Sequence, residues 1–440
     1  MENWHSLTPD EKREERFSWW LDPENVNFID KEAEANYKKR VTRLIKAIKC
    51  EVPDRVPLLL PSFPLHYYGI TLKDAMYDNQ KAVAAARKWF KDFPESDTFS
   101  GGGAVCARGS EIMDIRSSRW PGHGLPDDAP LNNFVEGEYM KADEYDMLIK
   151  TPGDWCFRRY LPRQLGALKV FETFAPLYDV MGMANRFVMP AARPEVRAAF
   201  QAIIDYGKEV EEWSKPALVF AREVREAGYP SFFGGQSHAP FDILADTLRG
   251  TRGIVRDMYR QPEKILEAID VLVPMNIDIG IRQANQSRNP IVFFALHKGD
   301  DTFMSDAQFQ KFYWPGLKAV VLGLIEEGIT PCLFAEGKYT NRLDLINDLP
   351  RGKVYWHFDQ TDMKKAKQLL GGKACIAGNI PSSLVITGTP PEMKAYCKEL
   401  IEVCGKGGGY VLTSGASSHK GNPDNIRAII EAVNEYGYYR

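Results

Sequence analysis

Along most of the chain, short apolar runs alternate with longer stretches of helical periodicity. Eight runs stand out, at 55–60, 97–100, 230–234, 291–296, 330–336, 353–358, 374–379 and 409–414. Several are β-branched or aromatic with few polar interruptions, the pattern of parallel strands buried on both faces. Helical patterns separate most of them: 305–327, 362–370 and 390–404 each precede a strand. Eight strands with helices between them predict an α/β protein built as a (β/α)8 TIM barrel. A doubly wound sheet is the competitor, but no Gly-x-Gly-x-x-Gly follows a first strand.

Two segments depart from this rhythm. Residues 1–50 are polar and helix-rich, with Thr8-Pro9-Asp10-Glu11 starting a helix and residues 37–49 forming a second. They read as an N-terminal helical extension on a barrel occupying 51–440. The second departure is a long insertion after the second strand. Within it, 109–166 is rich in Pro, Gly and Asp and reads as an elaborated loop or lid on the barrel face.

Composition narrows the function. The 440 residues carry 56 Lys+Arg against 59 Asp+Glu, a formal charge of −3, so the chain lacks the basic excess of a nucleic-acid binder. Aromatic residues at 12% and apolar residues at 44% exclude intrinsic disorder. No run of 18 apolar residues spans a membrane, and Met1-Glu2-Asn3-Trp4-His5 has no apolar signal core, so a cytoplasmic protein is expected. The seven cysteines are scattered and form no Cys-x-x-Cys, which fits reduced thiols rather than a disulfide framework.

In a barrel the chemistry sits at the C-terminal strand ends. Three adjacent ends offer His297, Glu336 and His357. Two histidines and a glutamate suit zinc with an open position, a metal-free acid/base set, or a hydrogen-bonded polar lining. Other strand ends add Phe63, His66 and Tyr67 after the first, His238 and Phe241 after the third, Asp300 and Asp301 after the fourth, and Asn379 after the seventh. The bowl they outline is aromatic and suits a flat apolar ligand with one or two polar groups. The glycine clusters at 101–103 and 405–409 lack the strand–loop–helix order of a phosphate loop.

From about Tyr37 onward the chain resembles the uroporphyrinogen decarboxylase superfamily. The carrying segments are Arg40-Val41-Thr42-Arg43-Leu44 through Asp54-Arg55-Val56-Pro57, Ala239-Pro240-Phe241-Asp242 with Leu248-Arg249-Gly250, Met304-Ser305 with Phe312-Tyr313, Ala377-Gly378-Asn379-Ile380, and Gly407-Gly408-Gly409-Tyr410. The resemblance implies a (β/α)8 barrel. The superfamily holds both decarboxylases and corrinoid-linked methyltransferases. The arginine-rich segment of the porphyrinogen decarboxylases is absent, since Leu58-Leu59-Leu60-Pro61-Ser62-Phe63-Pro64 holds no arginine. The His-x-Cys of the thiol methyltransferases is replaced by Phe334-Ala335-Glu336. The chain is most similar to the methyltransferase components of anaerobic phenyl methyl ether O-demethylases, whose zinc motif separates a Glu from a His by 20 residues, as Glu336 and His357 are separated here. Their upstream glutamate falls at Val321, and His297 stands in as third ligand.

This resemblance implies an enzyme that demethylates aromatic methyl ethers and passes the methyl group to cob(I)alamin. No Asp-x-His-x-x-Gly corrinoid motif occurs, so the cobalamin is expected on a separate corrinoid protein. Zn2+ on Glu336, His357 and His297, or a proton from Asp300, Asp301 or His238, would activate the ether oxygen. Phe63, His66, Tyr67, Phe241 and Asn379 are the expected substrate contacts. Decarboxylation of a small aromatic or heterocyclic acid is the alternative.

Overall fold

The computed structural model describes residues 4–61, 65–99, 104–416 and 420–439. Six parallel strands lie side by side in chain order: Gly235–Gln236, Ile291–Leu296, Thr330–Ala335, Tyr355–Phe358, Cys375–Ala377 and Tyr410–Val411. Two extended segments close the ring. Leu412 N–H donates to Pro57 O at 2.9 Å and Leu59 N–H to Leu412 O at 3.0 Å. On the other side, Asp97 N–H donates to Leu58 O at 2.8 Å and Phe99 N–H to Pro230 O at 3.4 Å. The result is the eight-membered barrel that the apolar runs predict.

The third strand differs in its bounds. The strand proper covers Gly235–Gln236, and the expected segment 230–234 contributes only single bonds at its ends, from Phe99 N–H to Pro230 O and from Gly234 N–H to Ile291 O at 2.8 Å. Asn289 explains this, because its side-chain amide donates to Ser231 O at 2.9 Å and Phe232 O at 3.2 Å. Those carbonyls are thereby taken from the ladder, and every buried carbonyl needs one partner.

The N-terminal extension forms the helices Pro9–Leu21 and Lys31–Ile48. Thr8 caps the first in a reciprocal box with Glu11, and Asp30 caps the second. Their buried Phe17, Trp20, Tyr37, Val41 and Leu44 join one apolar cluster with Ile291, Cys332, Tyr355, Cys375 and Val411 from the strands. The two helices thus pack against the inward strand positions. Arg43 of the second helix pairs with Asp54 and with the fully buried Asp97, tying the extension to the first two strands.

The insertion is more than the loop expected at 109–166. Ser118–Pro121, Gly124–Leu125 and Asn133–Phe134 make a small three-stranded sheet. Met113, Leu168, Phe171, Phe174, Val196 and Ala199 form a separate apolar cluster, so the segment holds its shape through its own packing. The 33-residue helix Pro194–Glu226 leads back to the barrel. Among the described residues, no helix is long and apolar enough to cross a membrane.

Candidate active site

The loop after the third strand turns at Ala239 into a short helix, Pro240–Asp242, which continues through Ile243–Leu248. This places Asp242 and Asp246 four residues apart on neighbouring turns. The fourth strand ends at Leu296 and is followed at once by His297 and Lys298. The fifth ends at Ala335 and is followed by Glu336. These loops and the insertion surround a cavity of about 940 Å3. Phe134, Glu136 and Tyr160 of the insertion form part of its wall, together with His238, Phe303 and Asp300.

Asp242 anchors the site from below. It is buried and accepts from the backbone N–H of His297 at 3.1 Å, the N–H of Lys298 at 3.0 Å and the hydroxyl of Tyr313 at 2.8 Å. Burial, aided by the neighbouring Asp246, pushes its carboxyl up to about 6. Asp246 holds the two cations of the site. His297 Nδ1 lies 2.7 Å from one of its oxygens and Lys298 Nζ 3.2 Å from the other. On its far side His297 Nε2 faces Glu336 at 3.4 Å. The hydrogen bond to Asp246 leads the causes that raise the imidazole to about 8, so it is largely protonated at neutral pH. His238, in the same cavity, moves the other way: burial and the His297 charge lower it.

His297, Glu336, His238 and Asp300 therefore share one cavity, and the other expected residues that the structure describes do not. The ladder pairs Phe334 with His357, so His357 lies one inward-facing level below Glu336, roughly 6–7 Å along the strand. The half-buried His357 ring packs against Phe334 at 4.6 Å, its Nε2 bonds Ser414 O at 2.7 Å, and burial lowers its pKa. It lines a different cavity, of about 350 Å3. Sequence spacing alone could not show this offset, because it depends on which residues pair across the sheet. Among the described residues, no three His, Cys, Asp or Glu side chains are grouped to hold a metal ion. The residues expected to bind zinc do not fit it as a set.

Asp301 turns away from the cavity and accepts from Asn341 N–H at 3.0 Å, tying two loops together. Asp300 lines the cavity, but its carboxylate already accepts from Thr302 N–H at 3.1 Å and Phe303 N–H at 3.0 Å, which makes it a turn cap. Phe241 is 1% exposed and packs against Tyr313, so it belongs to the core rather than to a ligand. Asn379 is buried and donates to Thr361 O at 2.8 Å, beside yet another cavity. His66 and Tyr67 lie on the turn Leu65–Tyr68, where Tyr67 packs edge-on against Tyr68, and neither lines the 940 Å3 cavity. Phe63 lies outside the described residues.

Asp246, Asp242, Lys298 and Glu136 were not among the residues expected from sequence. One signal for the first two was available, namely a pair of carboxylates at i and i+4 just after a strand-end loop. Glu136 had none, because a distant segment carries it to the site.

The family model described as Uroporphyrinogen decarboxylase (URO-D) matches residues 177–436. No curated protein matches the sequence. Among solved structures, a methyltransferase from Methanosarcina mazei superposes with a TM-score of 0.56 at 16% identity, over 90% of this chain and 98% of that one. At that identity the likeness is one of fold.

Proposed function

Because the chain belongs to the uroporphyrinogen decarboxylase family, we propose that it is a methyltransferase taking its methyl group from an aromatic methyl ether. The acceptor is cob(I)alamin carried by a separate corrinoid protein that docks over the C-terminal mouth of the barrel. A fold neighbour that is itself a methyltransferase supports the reaction class. The observation that carries the reading is His297, clamped between Asp246 and Glu336 and facing the large cavity.

The corrinoid supplies a nucleophile for the methyl carbon. The chain's own residues solve the remaining problem, which is that an aryl oxygen leaves poorly as an anion. Phe134, Tyr160 and Phe303 offer apolar faces for the ring. The protonated His297 donates to the ether oxygen as the methyl carbon departs, so the ring leaves as a neutral phenol. Asp246 holds the imidazole in place and stabilises its charge. The proton route needs no zinc, and His357 lines a different cavity from His297 and Glu336.

A decarboxylase of acidic substrates gains no support from this site, because no arginine is among the described residues lining the cavity. The test is turnover with 2-methoxyphenol and a cob(I)alamin-loaded corrinoid protein, followed by loss of the cob(I)alamin absorbance. Methyl transfer that vanishes in His297→Gln is expected. Failure with every aryl methyl ether tried would overturn the reading.

A further inference from the structure

The charges around the cavity are unequal and largely committed. Among the described residues, five carboxylates line it, Glu136, Asp242, Asp246, Asp300 and Glu336, and only Lys298 and the protonated His297 oppose them. Lys298 is held by Asp246 at 3.2 Å, by Glu136 at 3.7 Å and by the Thr251 hydroxyl at 3.0 Å. His297 is hydrogen-bonded at Nδ1 to Asp246 at 2.7 Å, while its Nε2 lies 3.4 Å from Glu336 without a hydrogen bond and keeps its proton for a neutral oxygen in the cavity. Both cations thus already have carboxylate neighbours that an anionic ligand would have to compete with. A ligand carboxylate would add a like charge to a cavity that already holds five, screened in part at the exposed Glu136 and Glu336 and less at Asp246 and the buried Asp242.

We infer that the cavity selects its methyl donor by charge, admitting an uncharged methoxyarene and rejecting the same ring carrying a carboxylate. This inference rests on the ether reading above. Glu136 is the specificity-determining residue. It reaches the site from the insertion, accepts from Thr251 N–H at 2.8 Å and supplies the second carboxylate beside Lys298. Its neutralisation leaves Lys298 less occupied and the cavity less negative.

The experiment is calorimetric titration of the full chain with 2-methoxyphenol and with 4-hydroxy-3-methoxybenzoate, which needs neither corrinoid nor turnover. The benzoate is expected to bind at least about tenfold more weakly. That gap narrows severalfold in Glu136→Gln, and in wild type as salt is raised, so the result does not depend on one variant folding. Equal or tighter binding of the benzoate by wild type overturns the selectivity and leaves the ether reading standing. If neither methoxyarene binds, benzoate is compared with benzyltrimethylammonium. Binding of the cation alone supports the selectivity while the ether reading falls, and binding of benzoate, or of neither, overturns both.

Discussion

Replacing Asp246 by Asn removes the charge beside His297 while keeping the side chain's size. The imidazole stands at about 8 against an ordinary 6.5, with the Asp246 hydrogen bond as the largest cause. In a sealed pair, one and a half pH units correspond to about 2 kcal/mol. The His297 side chain is 45% exposed, so solvent screening cuts this to about 1 kcal/mol. The expected fall is then about 0.7 unit, to near 7. Lys298, left without its nearest carboxylate, pushes in the same direction. The sign for activity follows from the role: a proton donor works below its pKa. The wild-type rate should therefore hold through neutral pH and fall as pH rises through about 8. In Asp246→Asn the same limb should move down to near 7. Proton NMR titration of the imidazole, assigned by its loss in His297→Gln, reads the shift without turnover. The pH–rate profile reads its consequence. If imidazole and limb both stay at the wild-type position, Asp246 does not tune His297 and the proton-donor argument fails.

Other outcomes follow from the same contacts. Asp242→Ala strips the acceptor from two backbone N–H groups and the Tyr313 hydroxyl and should cost about 3 kcal/mol by chemical denaturation. Because the native carboxyl sits near 6, above its usual range, its contribution to stability is greatest at low pH and is lost as pH rises through about 6; Asp242→Asn should flatten that slope in melts across pH. Asp97→Ala leaves the Arg43 guanidinium buried with one partner fewer and should cost about 3–5 kcal/mol, detected as a lowered denaturation midpoint. His357→Leu removes the bond to Ser414 O and exchanges the ring contact with Phe334 for an aliphatic one, so a loss of about 1 kcal/mol is expected with the His297 titration unchanged. Stoichiometric zinc in the wild type that disappears in His357→Leu would contradict the placement of His357 outside the proton-donor cavity.

The barrel was legible in the sequence because its signal is local. Buried parallel strands must be apolar on both faces, and the crossover helices must show helical periodicity, so the eight runs mark themselves. The N-terminal helices were legible for a similar reason, since Thr8 and Glu11 form a cap from residues three apart. His297 and Glu336 could also be read, because each directly follows a strand and the barrel architecture sends strand ends to one mouth.

Tertiary structure decided everything that depends on pairing between distant segments. The register setting Phe334 opposite His357 lowers that histidine by one level and separates it from Glu336. Asn289 shortens the third strand by taking carbonyls 57 and 58 residues away. Folding of the insertion brings Glu136 to Lys298 across more than 160 residues of chain. A residue's type and spacing determine which element it joins. The charge it meets, the water it loses and the proton it keeps are determined by neighbours that only the closed barrel and its insertion bring together.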